Sequence, residues 1–142
     1  MQSSVDTNVI SALWSGERAA TGMQNLLVEA RRAGGLVICG PVYAELLAYP
    51  GATKAFVDGF LEATQIAAEF SLSRAVWEEA GAAFSAYAER RREGRAGQPK
   101  RLLADFVVGA HALLLADRLL TLDPKRYRTA YPELKLVSEA AV

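Results

Sequence analysis

Short strand-like segments separated by stretches of helical periodicity constrain this chain more than any other feature. The apolar segments LVIC, RLLTL and LKLV read as strands, SSVD as a short first strand and TQIAAEF as a weaker one. Between them lie segments that bury one face at helical spacing. The first helix is expected from about Asn8 to Trp14. The second, ERAATGMQNLLVEARRAGG, is closed by Gly34 and Gly35. Pro41 suits the first turn of PVYAELLAY, which Pro50 and Gly51 end. ATKAFVDGFLEA reads as a further helix. Ser73 can cap a long one to about Glu93, with Val76, Ala80, Ala83, Phe84 and Tyr87 on one face. Gly94, Gly97 and Pro99 interrupt, ADFVVGAHALLLA resumes as an almost wholly apolar helix, and Asp123-Pro124 makes a turn. Strands alternating with helices in this way predict an α/β fold with a mainly parallel sheet.

At 142 residues the chain reads as a single domain, 1–142, with a composition ordinary for a globular protein. No apolar run is long enough to span a membrane, and MQSS has neither the basic start nor the apolar stretch of a signal peptide. These features predict a cytoplasmic protein without membrane association. A lone Cys39 cannot form an internal disulfide and reads as a small buried apolar residue.

Net charge is zero, which excludes a global field directed at nucleic acid. The distribution is uneven. ERRREGRAGQPKR, Glu89 to Arg101, holds six basic and two acidic residues, a local charge of +4. Arg90, Arg91, Arg92, Arg95, Lys100 and Arg101 therefore form a candidate surface for phosphates, with Lys125, Arg126 and Arg128 next in line. A solvated helix end and loop would have the same composition.

Four carboxylates stand in places that ordinarily reject charge. Asp6 directly follows the first strand, and Asp123 ends the fourth. Both fall on the carboxyl edge of a parallel sheet, where such folds bind ligands. Glu45 shares a helical face with Val42, Leu46 and Tyr49, and Asp105 opens the apolar helix. Singly, each has a structural explanation: an N-cap, a turn, a snorkelling or paired side chain. Together they are explained by one divalent cation, because converging carboxylates resist ionisation unless a cation neutralises them. Mg²⁺ and Mn²⁺ prefer oxygen ligands and can activate water for phosphoryl displacement. His111, inside the apolar helix, reads as a packed histidine, and Asp117 falls at the far end of its helix. A like-charged cluster also makes Asp105 unfavourable without metal, so Asp105→Asn is expected to leave the metal-free fold equally or more stable. A cation paired with Asp105 predicts the reverse.

The segments VDTNVI, GPVYAELL, LADFVVGAHALLLADRLLTLD and YRTAYPELKLV, in this order and spacing, resemble the PIN-domain ribonucleases, most closely the VapC-type toxins of bacterial toxin–antitoxin pairs. The resemblance covers almost the whole chain. It implies a PIN-like three-layer fold with a five-stranded, mainly parallel sheet flanked by helices. It also implies Mg²⁺- or Mn²⁺-dependent endoribonuclease activity. Asp6, Glu45, Asp105 and Asp123 match the family's acidic quartet. Thr7 and Asn8 match the polar pair after the first aspartate, and Thr121 the hydroxyl residue before the last; these would orient the carboxylates or water. The expected partners are a structured RNA substrate, a second copy of the chain and a small antitoxin that covers the cleft. MQSS is more polar than the family's first strand usually is.

Two other readings within the same fold are a PIN nuclease for RNA maturation or decay without an antitoxin, and an inactive PIN-fold binding module. A phosphoacceptor receiver domain would want paired acidic residues after the first strand, whereas Asp6 stands alone there.

Overall fold

A computed structural model describes residues 1–94 and 100–138. Its five strands are β1 (Ser3–Val5), β2 (Leu36–Cys39), β3 (Ile66–Glu69), β4 (Arg118–Leu120) and β5 (Leu136–Val137). They form one sheet in the order β3-β2-β1-β4-β5, and every pairing is parallel. The helices are α1 (Thr7–Ser15) and α2 (Ala19–Ala33) between β1 and β2, and α3 (Gly40–Leu47) and α4 (Lys54–Thr64) between β2 and β3. They continue with α5 (Arg74–Arg92) and α6 (Leu103–Leu115) before β4, and the short α7 (Lys125–Arg128) before β5. This is the PIN-like α/β architecture expected from the sequence. The one element not anticipated is α7, where only a turn at Asp123-Pro124 was expected.

The order of strands determines where a site can form. From β1 the chain moves outward to β2 and β3, then returns past β1 to β4 and β5. Right-handed crossovers therefore send the helices preceding β3 and those following it to opposite faces. Helix α1 packs on α2 and α3, and α6 packs on α5 and α7. The direction of winding reverses at β1, which leaves a crevice beyond the carboxyl ends of β1 and β4.

Strand β1 is short, central and wholly buried in spite of its polar start. Its serines are satisfied by side chains from distant parts of the chain. Arg118 Nε donates to Ser3 Oγ at 2.8 Å, and Ser4 Oγ lies 3.4 Å from His111 Nδ1. His111 Nε2 is in turn 3.2 Å from Glu69 Oε1, so His111 is a packed, hydrogen-bonded core residue. The face expected on α5 is present: Val76, Ala80 and Tyr87 are buried, with Ala83 and Phe84 against the same core. Helix α6 is the central apolar helix, and Gly109 lets it approach the segment after β4. A Cβ there would overlap the Tyr131 ring and sit 3.2 Å from Tyr127 Cδ1. Among the described residues no helix is long and apolar enough to cross a membrane.

Candidate functional site

Asp6 follows β1 at the floor of the crevice and is 3% exposed. It is the N-cap of α1, its Oδ1 accepting from Thr7 N at 2.8 Å, which starts the helix one residue before the expected Asn8. The other oxygen, Oδ2, accepts from Thr121 Oγ1 at 2.9 Å and from Tyr127 Oη at 2.7 Å. Burial pushes the Asp6 carboxyl above the usual carboxylate range, against the lowering by these hydrogen bonds and by the Arg126 charge. Tyr127, buried on α7, is pushed well above the ordinary phenol range by burial and by the Asp6 charge, and remains a donor.

The polar residues beside Asp6 hold its surroundings. Thr121 Oγ1 also accepts from Asp123 N at 3.0 Å and lies 3.4 Å from Asn8 Nδ2. Asn8 Oδ1 accepts from Leu122 N at 3.1 Å, which ties the start of α1 to the segment after β4. Thr7 Oγ1 donates to Glu45 Oε1 at 2.7 Å. These three residues therefore contact or position three of the four acids.

Glu45 is exposed at the rim of the crevice rather than buried on its apolar face, while Val42 and Leu46 of that face are buried. Desolvation at the carboxyl is still the first cause that pushes its pKa up. Asp6 and Asp105 add to it, and Thr7 and Arg126 oppose it. Mutual repulsion among the acids is thus felt at Glu45. Asp105 occupies the third position of α6 and is not the N-cap. Its Oδ2 accepts from the Leu102 amide at 3.1 Å, reaching back over the first turn.

Arg126 changes the electrostatic picture. Its Nη1 is 3.5 Å from Asp105 Oδ1 and its Nε is 3.4 Å from Asp123 Oδ2. One guanidinium therefore stands between two of the candidate ligands, where the sequence reading placed Arg126 with the phosphate-binding residues. Among the described residues, no three His, Cys, Asp or Glu side chains converge closely enough to hold a metal ion. The donor set nonetheless fits a hard cation, being oxygen only, partly desolvated and already drawing a positive group. Asp6, Glu45, Asp105 and Asp123 are the residues able to supply the ligands.

Basic residues flank this acidic crevice. Arg90, Arg101, Lys125 and Arg126 line a cavity of about 140 Å³, together with Tyr87 and Phe106. The Tyr87 hydroxyl receives the Arg101 amide at 2.6 Å and Arg91 Nη1 at 3.2 Å. Arg92 is paired with Glu89. Lys100 is exposed, and Arg95 lies outside the described residues. The basic run is therefore divided between a cavity and ordinary surface pairs. Cys39, buried under α3, has its thiol pushed up to about 11 by burial and is protonated at neutral pH. Tyr127 is the residue that sequence reasoning passed over. Its only signal was its place in the apolar spacing of KRYRTAYPELKL, which points to the core and says nothing of Asp6.

A parallel sheet with an acidic crevice at its switch point, lidded by helix starts and bordered by arginines, defines an α/β domain built to gather carboxylates. The chain belongs to the PIN-domain family, whose model matches residues 4–131. No curated protein sequence matches it significantly. Among solved structures, it is similar to a chain of VapBC2 from Rickettsia felis, crystallised bound to a DNA fragment from their promoter. The TM-score is 0.66 and the identity 20%, over 96% of this chain and 98% of that one. A chain of VapBC-1 from nontypeable Haemophilus influenzae gives a TM-score of 0.62 at 18% identity, over 97% and 98% of the two chains. At these identities the likeness is one of fold.

Proposed function

We propose that the chain is a Mg²⁺- or Mn²⁺-dependent endoribonuclease and the toxin of a toxin–antitoxin pair. The observation that carries this reading is Asp6. It is a buried acid, raised in pKa by desolvation and held by three donors at the switch point of a PIN-family sheet, and its charge acts on Glu45 together with that of Asp105. Asp6, Glu45, Asp105 and Asp123 would hold the metal. When bound, a divalent cation supplies Lewis acidity and a water of lowered pKa.

The chain's own residues do the rest. Tyr127, Thr121 and the Thr7 amide hold both Asp6 oxygens in one orientation, which avoids reorganisation during the reaction. Asn8 keeps the Asp123 segment against α1. Glu45, raised in pKa and anchored through one oxygen by Thr7, is suited to exchange a proton with the attacking water. Water adds to phosphorus as Glu45 takes its proton, the bridging P–O bond breaks, and the leaving oxygen departs as a hydroxyl after taking a proton from Glu45 or solvent. Arg90, Arg101 and Lys125, beside the crevice, hold backbone phosphates and make binding salt-dependent.

The likeness in fold to the VapBC2 and VapBC-1 chains supports a small antitoxin as partner. Arginine suits an inhibitor that must enter a carboxylate cleft, since its fork matches carboxylate geometry. The test is cleavage of cellular RNA by the metal-stripped protein, with and without added Mn²⁺. Cleavage only on addition, abolished by chelator, is expected. Equal cleavage by the verified metal-free protein would end the reading. Co-expression with a small protein encoded beside the gene should yield a tight, inactive complex, and the lack of any such reading frame would favour a maturation or decay nuclease.

A further inference from the structure

Arg126 is unusual in belonging to two opposite environments at once. On one side it faces Asp105 and Asp123 at 3.5 and 3.4 Å. These contacts are longer than the 2.7–2.9 Å typical of a well-formed charge-assisted hydrogen bond. On the other side it lines the cavity shared with Arg90, Arg101 and Lys125. Four cations around one small space repel unless an anion joins them. The Arg90 Nε–H is buried without a hydrogen-bond acceptor, a costly state in a cavity wall, and the Arg126 Nε–H, 3.4 Å from Asp123 Oδ2, makes no hydrogen bond there. The cavity's volume of about 140 Å³ exceeds the roughly 10–15 Å³ that one water needs. It has room for a phosphate group.

We propose that Arg126 is an exchangeable counter-ion. Without metal it lies loosely between Asp105 and Asp123. When a divalent cation is bound there, Arg126 turns into the Arg90–Arg101–Lys125 cavity and, with those residues, holds a phosphate of the RNA backbone. The proposal rests on the metal reading given above and adds two properties to it. Arg126 competes with the metal in the absence of an anion, and metal and phosphate binding reinforce one another. By linkage each ligand must then tighten the other by the same factor.

Calorimetric titration of the metal-stripped full chain with Mn²⁺ tests this, in chloride and in sulfate at matched ionic strength. Sulfate is a soluble tetrahedral stand-in for phosphate, and thermal melts establish that each variant is folded. In chloride, Arg126→Gln should bind Mn²⁺ about fivefold more tightly than the unaltered chain, a coupling of the usual allosteric size. Sulfate should tighten Mn²⁺ binding to the unaltered chain and have no such effect on Arg126→Gln or Arg90→Gln. Asp105→Asn should lose Mn²⁺ binding, which locates the ion in the crevice. If Arg126→Gln binds Mn²⁺ no more tightly, or sulfate acts equally on all forms, the counter-ion role is overturned while the metal reading stands. If neither the unaltered chain nor Arg126→Gln binds Mn²⁺, both fall together.

Discussion

Strand β1 meets buried polar chemistry at both of its ends and resolves it in opposite ways. At the amino end every group finds a matched partner. The Gln2 amide donates to Asp117 Oδ2 at 2.6 Å, Ser3 takes the Arg118 guanidinium, and Ser4 lies against a histidine that leans on Glu69. At the carboxyl end Asp6 is well supplied with donors, yet its pKa is still raised. Glu45 feels the charges of Asp6 and Asp105, and Arg126 is shared among the acids. The comparison teaches how to read a buried polar residue. Where the partners leave charge balanced, the group stabilises the fold. Where burial still raises a carboxyl after every donor is counted, the group is a candidate for a further partner.

The largest expected effect breaks the carboxyl end. Asp6→Asn should reduce Mn²⁺-dependent cleavage by about 10³-fold, the several kcal/mol that a metal can supply at the transition state. Metal-free stability should stay within about 1 kcal/mol, because an uncharged amide escapes the desolvation that burdens the carboxylate. Single-turnover cleavage and urea melts of the same preparation separate the two quantities. Loss of stability with retained cleavage would move Asp6 into the class of Ser3 and Ser4.

Tyr127→Phe sharpens the same comparison less drastically. It deletes only the hydroxyl 2.7 Å from Asp6 Oδ2. Groups that orient a ligand typically contribute 10–100-fold in metal affinity or activity, and a loss of about that size is expected in a Mn²⁺ titration. Unaltered affinity would mean that Thr121 and the Thr7 amide suffice to hold Asp6.

Much of this was legible in the sequence, and the boundary is physical. Strand and helix alternation follows from local hydrophobic pattern, so the parallel fold and the carboxyl-edge placement of Asp6 and Asp123 could be read directly. Polar MQSS argued against a long first strand, and β1 is three residues long. What could not be read depends on contacts between distant segments. The partners of Ser4 and Asp6, His111 and Tyr127, lie more than a hundred residues away. Arg126 looked like surface charge because nothing local distinguishes a guanidinium facing solvent from one turned toward Asp105. Glu45 shares helical spacing with Val42 and Leu46, but spacing does not say that its side of the helix opens onto the crevice.

A smaller effect probes the amino end. His111→Leu leaves the Ser4 hydroxyl without its ring nitrogen, and should cost about 1–3 kcal/mol. Cleavage per folded molecule should be unchanged. Burial lowers the His111 pKa below its ordinary 6.5, although Glu69 opposes the shift. The unfolded chain then binds the proton more readily, so this contribution is present above about pH 6.5 and is lost as the pH falls through the folded value. Asp6 has the opposite sign: its raised pKa adds stability below its ordinary 3.8, lost as the pH rises through the folded value. Between pH 7.5 and 5 the urea midpoint of the unaltered chain should fall relative to that of His111→Leu, because the Asp6 component is common to both and cancels in the difference. Identical pH profiles would show that the histidine stays neutral or is equally titratable in both states.

The smallest effect concerns a sign. Taken alone, the acidic cluster makes Asp105→Asn neutral or stabilising without metal. The structure reverses that expectation, because Arg126 lies 3.5 Å from Asp105 Oδ1 and both side chains are partly shielded, at 30% and 17% exposure. An ion pair of this kind is worth about 0–1 kcal/mol, and the lengthened contact argues for the lower half. Asparagine keeps an oxygen for the Leu102 amide, so the helix start loses little. Removing the charge also relieves Glu45, whose pKa Asp105 raises. The net result should be a loss of about 0.5 kcal/mol or less in metal-free protein. In an Arg126→Gln background the attraction is gone and the repulsion remains, so the same substitution should become neutral or stabilising. Metal-free urea melts of the four proteins form a double-mutant cycle that reads this inversion directly. An additive cycle would remove Arg126 as the cation that compensates Asp105 and leave the acids at this end of β1 compensated by solvent alone.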